Sequence, residues 1–182
     1  GANPTVGTGS GQEFSVSADR IDGFDGEIKV AVAGLPPGLT VSTPLVIQAG
    51  HDEAKGTLNA APDAPQPGET NASLTKVTAS AMINGQLVTK EVNHLGKIKL
   101  GEKPKLFVAL EPAASIVGTA TSTNATKPLE ITIAPGQTVP AWLKVRRNGH
   151  DDLITFTVDN LPHGVIVDNI GLNGVLIAKD QN

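Results

Sequence analysis

The chain contains no cysteine and no tyrosine, and among its 182 residues there are one tryptophan, one methionine and four phenylalanines. Without cysteine there is no disulfide, no thiol nucleophile and no thiolate metal ligand, so packing alone must hold any core. With so few rings, a row of exposed aromatics of the kind that stacks on sugars cannot be assembled. The formal net charge is only −4, with Lys and Arg scattered, whereas nucleic-acid binding needs a concentrated basic face to displace counterions. No run of 18 apolar residues occurs, so no helical membrane span is expected. A Gly-x-Ser-x-Gly elbow, a P-loop, a dinucleotide fingerprint and paired catalytic carboxylates are all missing, so the expectation is a protein that is not an enzyme and takes no cofactor.

What is present is a repeat. Gly23 to Val41, GFDGEIKVAVAGLPPGLTV, returns in degenerate form at Gly149 to Val167 as GHDDLITFTVDNLPHGVIV. At an offset of 126 the copies match at Gly23/Gly149, Asp25/Asp151, Ile28/Ile154, Val32/Val158, Leu35/Leu161, Pro36/Pro162, Gly38/Gly164 and Val41/Val167. Ile28, Val30 and Val32 alternate with Lys29 and Ala31, as Ile154, Phe156 and Val158 do with Thr155 and Thr157; this is the period of a strand with one buried face. Leu-Pro-x-Gly cannot continue a central strand, because proline lacks an N–H and glycine admits positive φ. The chain must turn a corner there.

Twenty glycines, 13 prolines and no stretch of helical periodicity predict an all-β fold of short strands. The offset implies two units, 1–103 and 104–182, each an immunoglobulin-like β-sandwich, joined semi-rigidly through the short polar link Gly101–Pro104. Residues 1–11 form a flexible lead with at most a short edge strand. Strands follow at 12–20, 26–33, 39–42, 44–48, 55–60, 74–83, 86–93 and 97–100. Asp22-Gly23 is expected to join the first two as an antiparallel hairpin, and Asn84-Gly85 suits a type I′ turn between 74–83 and 86–93. The proline-rich segment 61–73 is expected to be a loop without regular hydrogen bonding.

In the second unit, 106–110 and 129–133 are expected as strands flanking a polar stretch at 115–128. Residues 139–147 are the counterpart of 12–20, with one extra residue as a bulge near Pro140. Val46-Ile47 then answers to Leu176-Ile177, and the last three strands of the first unit have no match in the second. The second sandwich is therefore expected to be C-terminally truncated, leaving an edge open to self-association. Other domains of a parent protein are the remaining expected partners.

His51, His94, His150 and His163 lie in separate turns with no two-His metal spacing, and solvated turn residues are the plainer reading. The acidic turn Asp19–Asp25 lacks the alternating oxygens of a calcium loop, and its copy carries Arg146 and Arg147; no metal site is expected. Instead Asp25 and Asp151 should cap their turns, with Arg20 and Arg146 nearby. The candidate ligand contacts are Trp142, Phe24 and His150, weighed against simple packing for the tryptophan. Asn71-Ala72-Ser73 and Asn124-Ala125-Thr126 match glycosylation sequons, which are common by chance.

At Asn160 to Ile177, NLPHGVIVDNIGLNGVLI, and more loosely at Gly34 to Ser42, GLPPGLTVS, the chain resembles immunoglobulin-like modules of large exported proteins of planctomycete-type bacteria, which accompany pre-peptidase C-terminal domains. The resemblance spans most of the second unit and the middle of the first, and carries no catalytic residue. It implies an exported setting, periplasmic or cell-surface, and a structural or interaction role as spacer or adhesion module. The alternative is an accessory carbohydrate- or peptide-binding module of an exported hydrolase.

Overall fold

In the computed structural model, residues 2–112, 131–159, 161–167 and 175–181 are described. The chain is all-β, and it divides into two units, Gly1–Lys103 and Pro104–Asn182.

Nine strands build the first unit: β1 (Thr5–Gly7), β2 (Gly11–Ser17), β3 (Ile28–Ala33), β4 (Leu39–Val41), β5 (Leu45–Ile47), β6 (Glu53–Ala60), β7 (Lys76–Ile83), β8 (Gln86–Asn93) and β9 (Lys99–Gly101). They form an antiparallel sheet in the order β2-β6-β4, a second in the order β5-β3-β7-β8, and a parallel pair β1-β9. Alternation explains the core: β6 buries Ala54, Gly56, Leu58 and Ala60 and leaves the intervening side chains half-buried. Leu58 packs with Val6, Leu39, Val77, Leu95 and Ile98, while Leu45, Ile47 and Ala54 form a second cluster bridged to the first by Phe14 and Val30. Gly56 is glycine because the Phe14 ring lies where its Cβ would be, 2.7 Å from Cζ.

Three expectations are corrected. Asp22 and Gly23 do take positive φ (52° and 72°), and Phe24 N–H donates to Ile21 C=O, but β2 and β3 do not pair. The turn is separated from both strands by several residues, β2 is bonded to β6, and the chain crosses from one sheet to the other. The leader is anchored instead of loose: Val6 is fully buried, and the Asn3 side chain accepts a hydrogen bond from Lys97 N–H at 2.8 Å. Segment 61–73 ends in a single 3-10 turn, Asn71–Ser73. There the buried Asn71 accepts from Ile98 N–H (2.8 Å) and donates to Ile98 C=O (3.2 Å) and Gly68 C=O (2.6 Å), so its amide pairs with Ile98 as a neighbouring strand would. The Asn71 sequon is thus a core contact. By contrast Asn84-Gly85 closes the β7–β8 hairpin as expected, with φ of 49° and 78° and Ile83 opposite Gln86.

In the second unit β10 (Leu106–Pro112) pairs antiparallel with β11 (Ala141–Arg147), and β12 (Ile154–Phe156) with β13 (Val175–Ile177). Residues 131–133 are not in a strand, and the rest of the expected 129–133 strand, the 115–128 stretch and the Asn124 sequon lie outside the described residues. Equivalent strand pairings occur in both units. Ile28 stands opposite Ile47 and Lys29 opposite Val46; Ile154 stands opposite Ile177 and Thr155 opposite Leu176. Both corners close the same way, Leu39 N–H to Pro36 C=O and Val165 N–H to Pro162 C=O, with Gly38 at φ 77° and Gly164 at 81°.

Two outcomes are expected in urea denaturation. Gly164→Ala destabilises by about 1–2 kcal/mol through positive φ alone, whereas Gly38→Ala costs more, because its new Cβ would lie 2.7 Å from Ala64 Cβ and 2.8 Å from Ala64 Cα. Asn71→Ala, which strands the peptide groups of Ile98, lowers stability by about 2–4 kcal/mol.

Candidate functional site

The polar side chains engaged most heavily are two arginines. Arg20 follows β2, and its guanidinium donates through Nη1 to Gly26 C=O (2.8 Å), through Nη2 to Gln48 C=O (2.9 Å), and through Nε and Nη2 to His51 C=O (2.9 and 2.7 Å). These carbonyls belong to the β2–β3 crossing and the β5–β6 turn. Each lies past a strand end, where no ladder partner is available, and a planar fork with five donors can satisfy several at once. Arg147, the last residue of β11, repeats three of these four bonds with the same nitrogens. Nη1 donates to Asp152 C=O (2.8 Å), Nη2 to Ala178 C=O (2.8 Å) and Nε to Gln181 C=O (3.2 Å), with an added bond from Nη1 to His150 C=O (2.9 Å).

The clamp corrects the sequence alignment. The counterpart of Arg20 is Arg147, not Arg146, and the carbonyls held, not the carboxylates of Asp25 and Asp151, secure the two turns. Arg146 points to the other face of β11, where its guanidinium carbon lies 4.2 Å from the centroid of Phe107. Neighbouring arginines look alike in sequence, and only the alternation of the strand separates them.

The three candidate ligand contacts are divided between the two units, Phe24 in the first and His150 and Trp142 in the second. Phe24 is half-buried in the first unit, beside the clamp, with Arg20 Cζ 5.8 Å from its ring centroid and Gly26 beneath the ring. His150 is half-buried at the matching position of the second unit, and its contribution to the clamp is a main-chain carbonyl. Trp142 stands near the opposite end of β11 from His150; the five residue steps from Trp142 to Arg147 alone span roughly 17 Å of strand. The residue is 64% exposed, on the outward face of the β10–β11 ribbon, opposite Glu111 across the pair. Lys144 forms an ion pair with Glu111 at 2.6 Å on the same face. Elsewhere, the Glu69 carboxyl is held below its ordinary 4.5, chiefly by the hydrogen bond from Lys97 and then by that lysine's charge.

Among the described residues, no group of three or more His, Asp or Glu side chains is placed to hold a metal ion, and no helix is long and apolar enough to cross a membrane. No family model, curated protein or solved structure matches the chain.

Replacing the clamps tests this assignment. Arg147→Ala and Arg20→Ala should each destabilise by about 2–4 kcal/mol, since charge-assisted bonds to carbonyls are lost. Arg146→Ala should cost about 1 kcal/mol or less, the value of an exposed cation–π contact. Equal losses at Arg146 and Arg147, measured by chemical denaturation, would contradict the pairing of Arg147 with Arg20.

Proposed function

We propose that the chain is a non-enzymatic structural module of a larger exported bacterial protein, in which two immunoglobulin-like units act as spacer or adhesion elements. The observation that carries this reading is how the repeated residues are used. Both arginines are engaged with main-chain carbonyls of their own unit, both Pro-x-x-Leu/Val corners are closed by backbone bonds, and both isoleucines sit in equivalent strand pairs. The arginine, corner and isoleucine pairs retained in both copies therefore serve shape. Export, to the periplasm or cell surface, rests on the resemblance of the Asn160–Ile177 stretch to modules of that kind.

One observation favours a second reading, an accessory carbohydrate-binding module of an exported hydrolase. Trp142 is exposed on a two-stranded face beside the Glu111–Lys144 pair, an arrangement in which a sugar ring could stack while its hydroxyls meet charged neighbours. A glycan array run with the wild-type chain and with Trp142→Ala separates the two. The spacer reading expects no selective signal from either protein. Selective binding that falls at least about tenfold in the variant, the loss of one stacking contact of about 1.4 kcal/mol, would transfer the assignment to the binding module.

A further inference from the structure

The first strand of the first unit, β1, lies parallel to its last, β9, with Thr5 opposite Lys99, Val6 opposite Leu100 and Gly7 opposite Gly101. In a parallel pair the chain enters one strand and leaves the other at opposite ends. Tension applied through the leader and through the link after Gly101 therefore slides β1 along β9, and every bond between them is loaded at once. Between antiparallel strands the same tension would part the bonds one after another.

The bonds that carry this load are in place. Asn3 N–H donates to Leu95 C=O (3.0 Å), the Asn3 side chain accepts from Lys97 N–H (2.8 Å), and Lys99 N–H donates to Pro4 C=O (3.0 Å). Asn3 can approach so closely because residue 96 is glycine, at φ 81°; a Cβ there would lie 2.5 Å from Asn3 Oδ1. Val6 sits fully buried in the cluster with Leu58, Leu95 and Ile98, so β1 cannot slide without drawing an apolar side chain out of the core. The other partner is anchored as well. Neighbouring residues of an extended chain direct their peptide groups to opposite edges: the leader takes Lys99 N–H, while Asn71 takes both the N–H and the C=O of Ile98. The chain leading into β9 is thus held from both sides.

We propose that β1 and β9 form a shear lock, through which the first unit bears end-to-end tension without unfolding. The inference rests on the spacer reading and deepens it, since a spacer within a larger surface protein is the element that transmits pull between its neighbours. Asn3 is the positioning residue of the lock: its side chain extends the line of bonds beyond β1 toward the end where the pull enters.

The test is single-molecule stretching of the full chain. Because the sequence has no cysteine, handles can be attached through introduced pairs at exposed positions. Ala2→Cys with Lys103→Cys pulls along the lock. In a second protein Leu74→Cys with Val92→Cys pulls at the open end of the antiparallel β7–β8 hairpin and peels β8 from β7 bond by bond. Rupture is expected to need a force about twofold or more higher along the lock than across the hairpin, because forced unfolding follows the barrier in the direction pulled. Asn3→Gly, which tolerates the positive φ of 48° and removes the acceptor, is expected to lower the first force and leave the second unchanged, and Asn3→Asp to restore it. Equal forces in the two directions, or a lower one along the lock, would overturn the proposal. So would Asn3→Gly without effect on the first force, or with the same loss in both directions, which would mark a merely structural contact. None of these results bears on the glycan array, so failure of the lock is separable from failure of the spacer reading.

Discussion

The structure depends on how main-chain carbonyls are satisfied where the chain leaves one sheet for the other. A sandwich of short strands has many such ends, and a carbonyl turned away from its ladder needs a donor or water. Arg20 and Arg147 each gather carbonyls from two separate connections into one planar hydrogen-bonded knot. In doing so they set the register of the crossing that follows. The strand pairs Ile28/Ile47 and Ile154/Ile177 and the corners at Gly38 and Gly164 recur with that knot in each unit.

Around the same framework the two units bury very different amounts of apolar surface. The first closes over Leu58, Ile98, Val6 and Ile47, and even its one fully buried amide side chain, Asn71, is paired with backbone. In the second, Val145 and Ile154 are the buried apolar residues among those described, while Val108, Leu110, Val158 and Leu176 remain substantially exposed. Burial of apolar area is the main favourable term in folding, and among the described residues the first unit supplies most of it.

Misreadings at the level of residues share a cause. Asp22-Gly23 forms the tight turn its composition promises, but a turn several residues from either strand does not decide which strands pair. Asn71 carries a sequon, yet the signal for its real role is Ile98, 27 residues away, which no local window contains. Arg146 and Arg147 could be told apart only by the alternation of β11, and the offset of 126, which sets Arg146 opposite Arg20, hid which of them faces inward. Trp142 was visible as the lone indole, but its outward face depends on that same alternation.

Strand period, proline-glycine corners, the Asn-Gly hairpin and the duplication itself were legible in the linear order of residues, because each arises from φ preferences or side-chain alternation within a few positions. Which strands became neighbours, where the leader was pinned, and which arginine closed each crossing were settled only when distant segments met. Those outcomes turn on hydrogen-bond partners drawn from carbonyls and amides that every residue possesses, and so leave no mark on residue type.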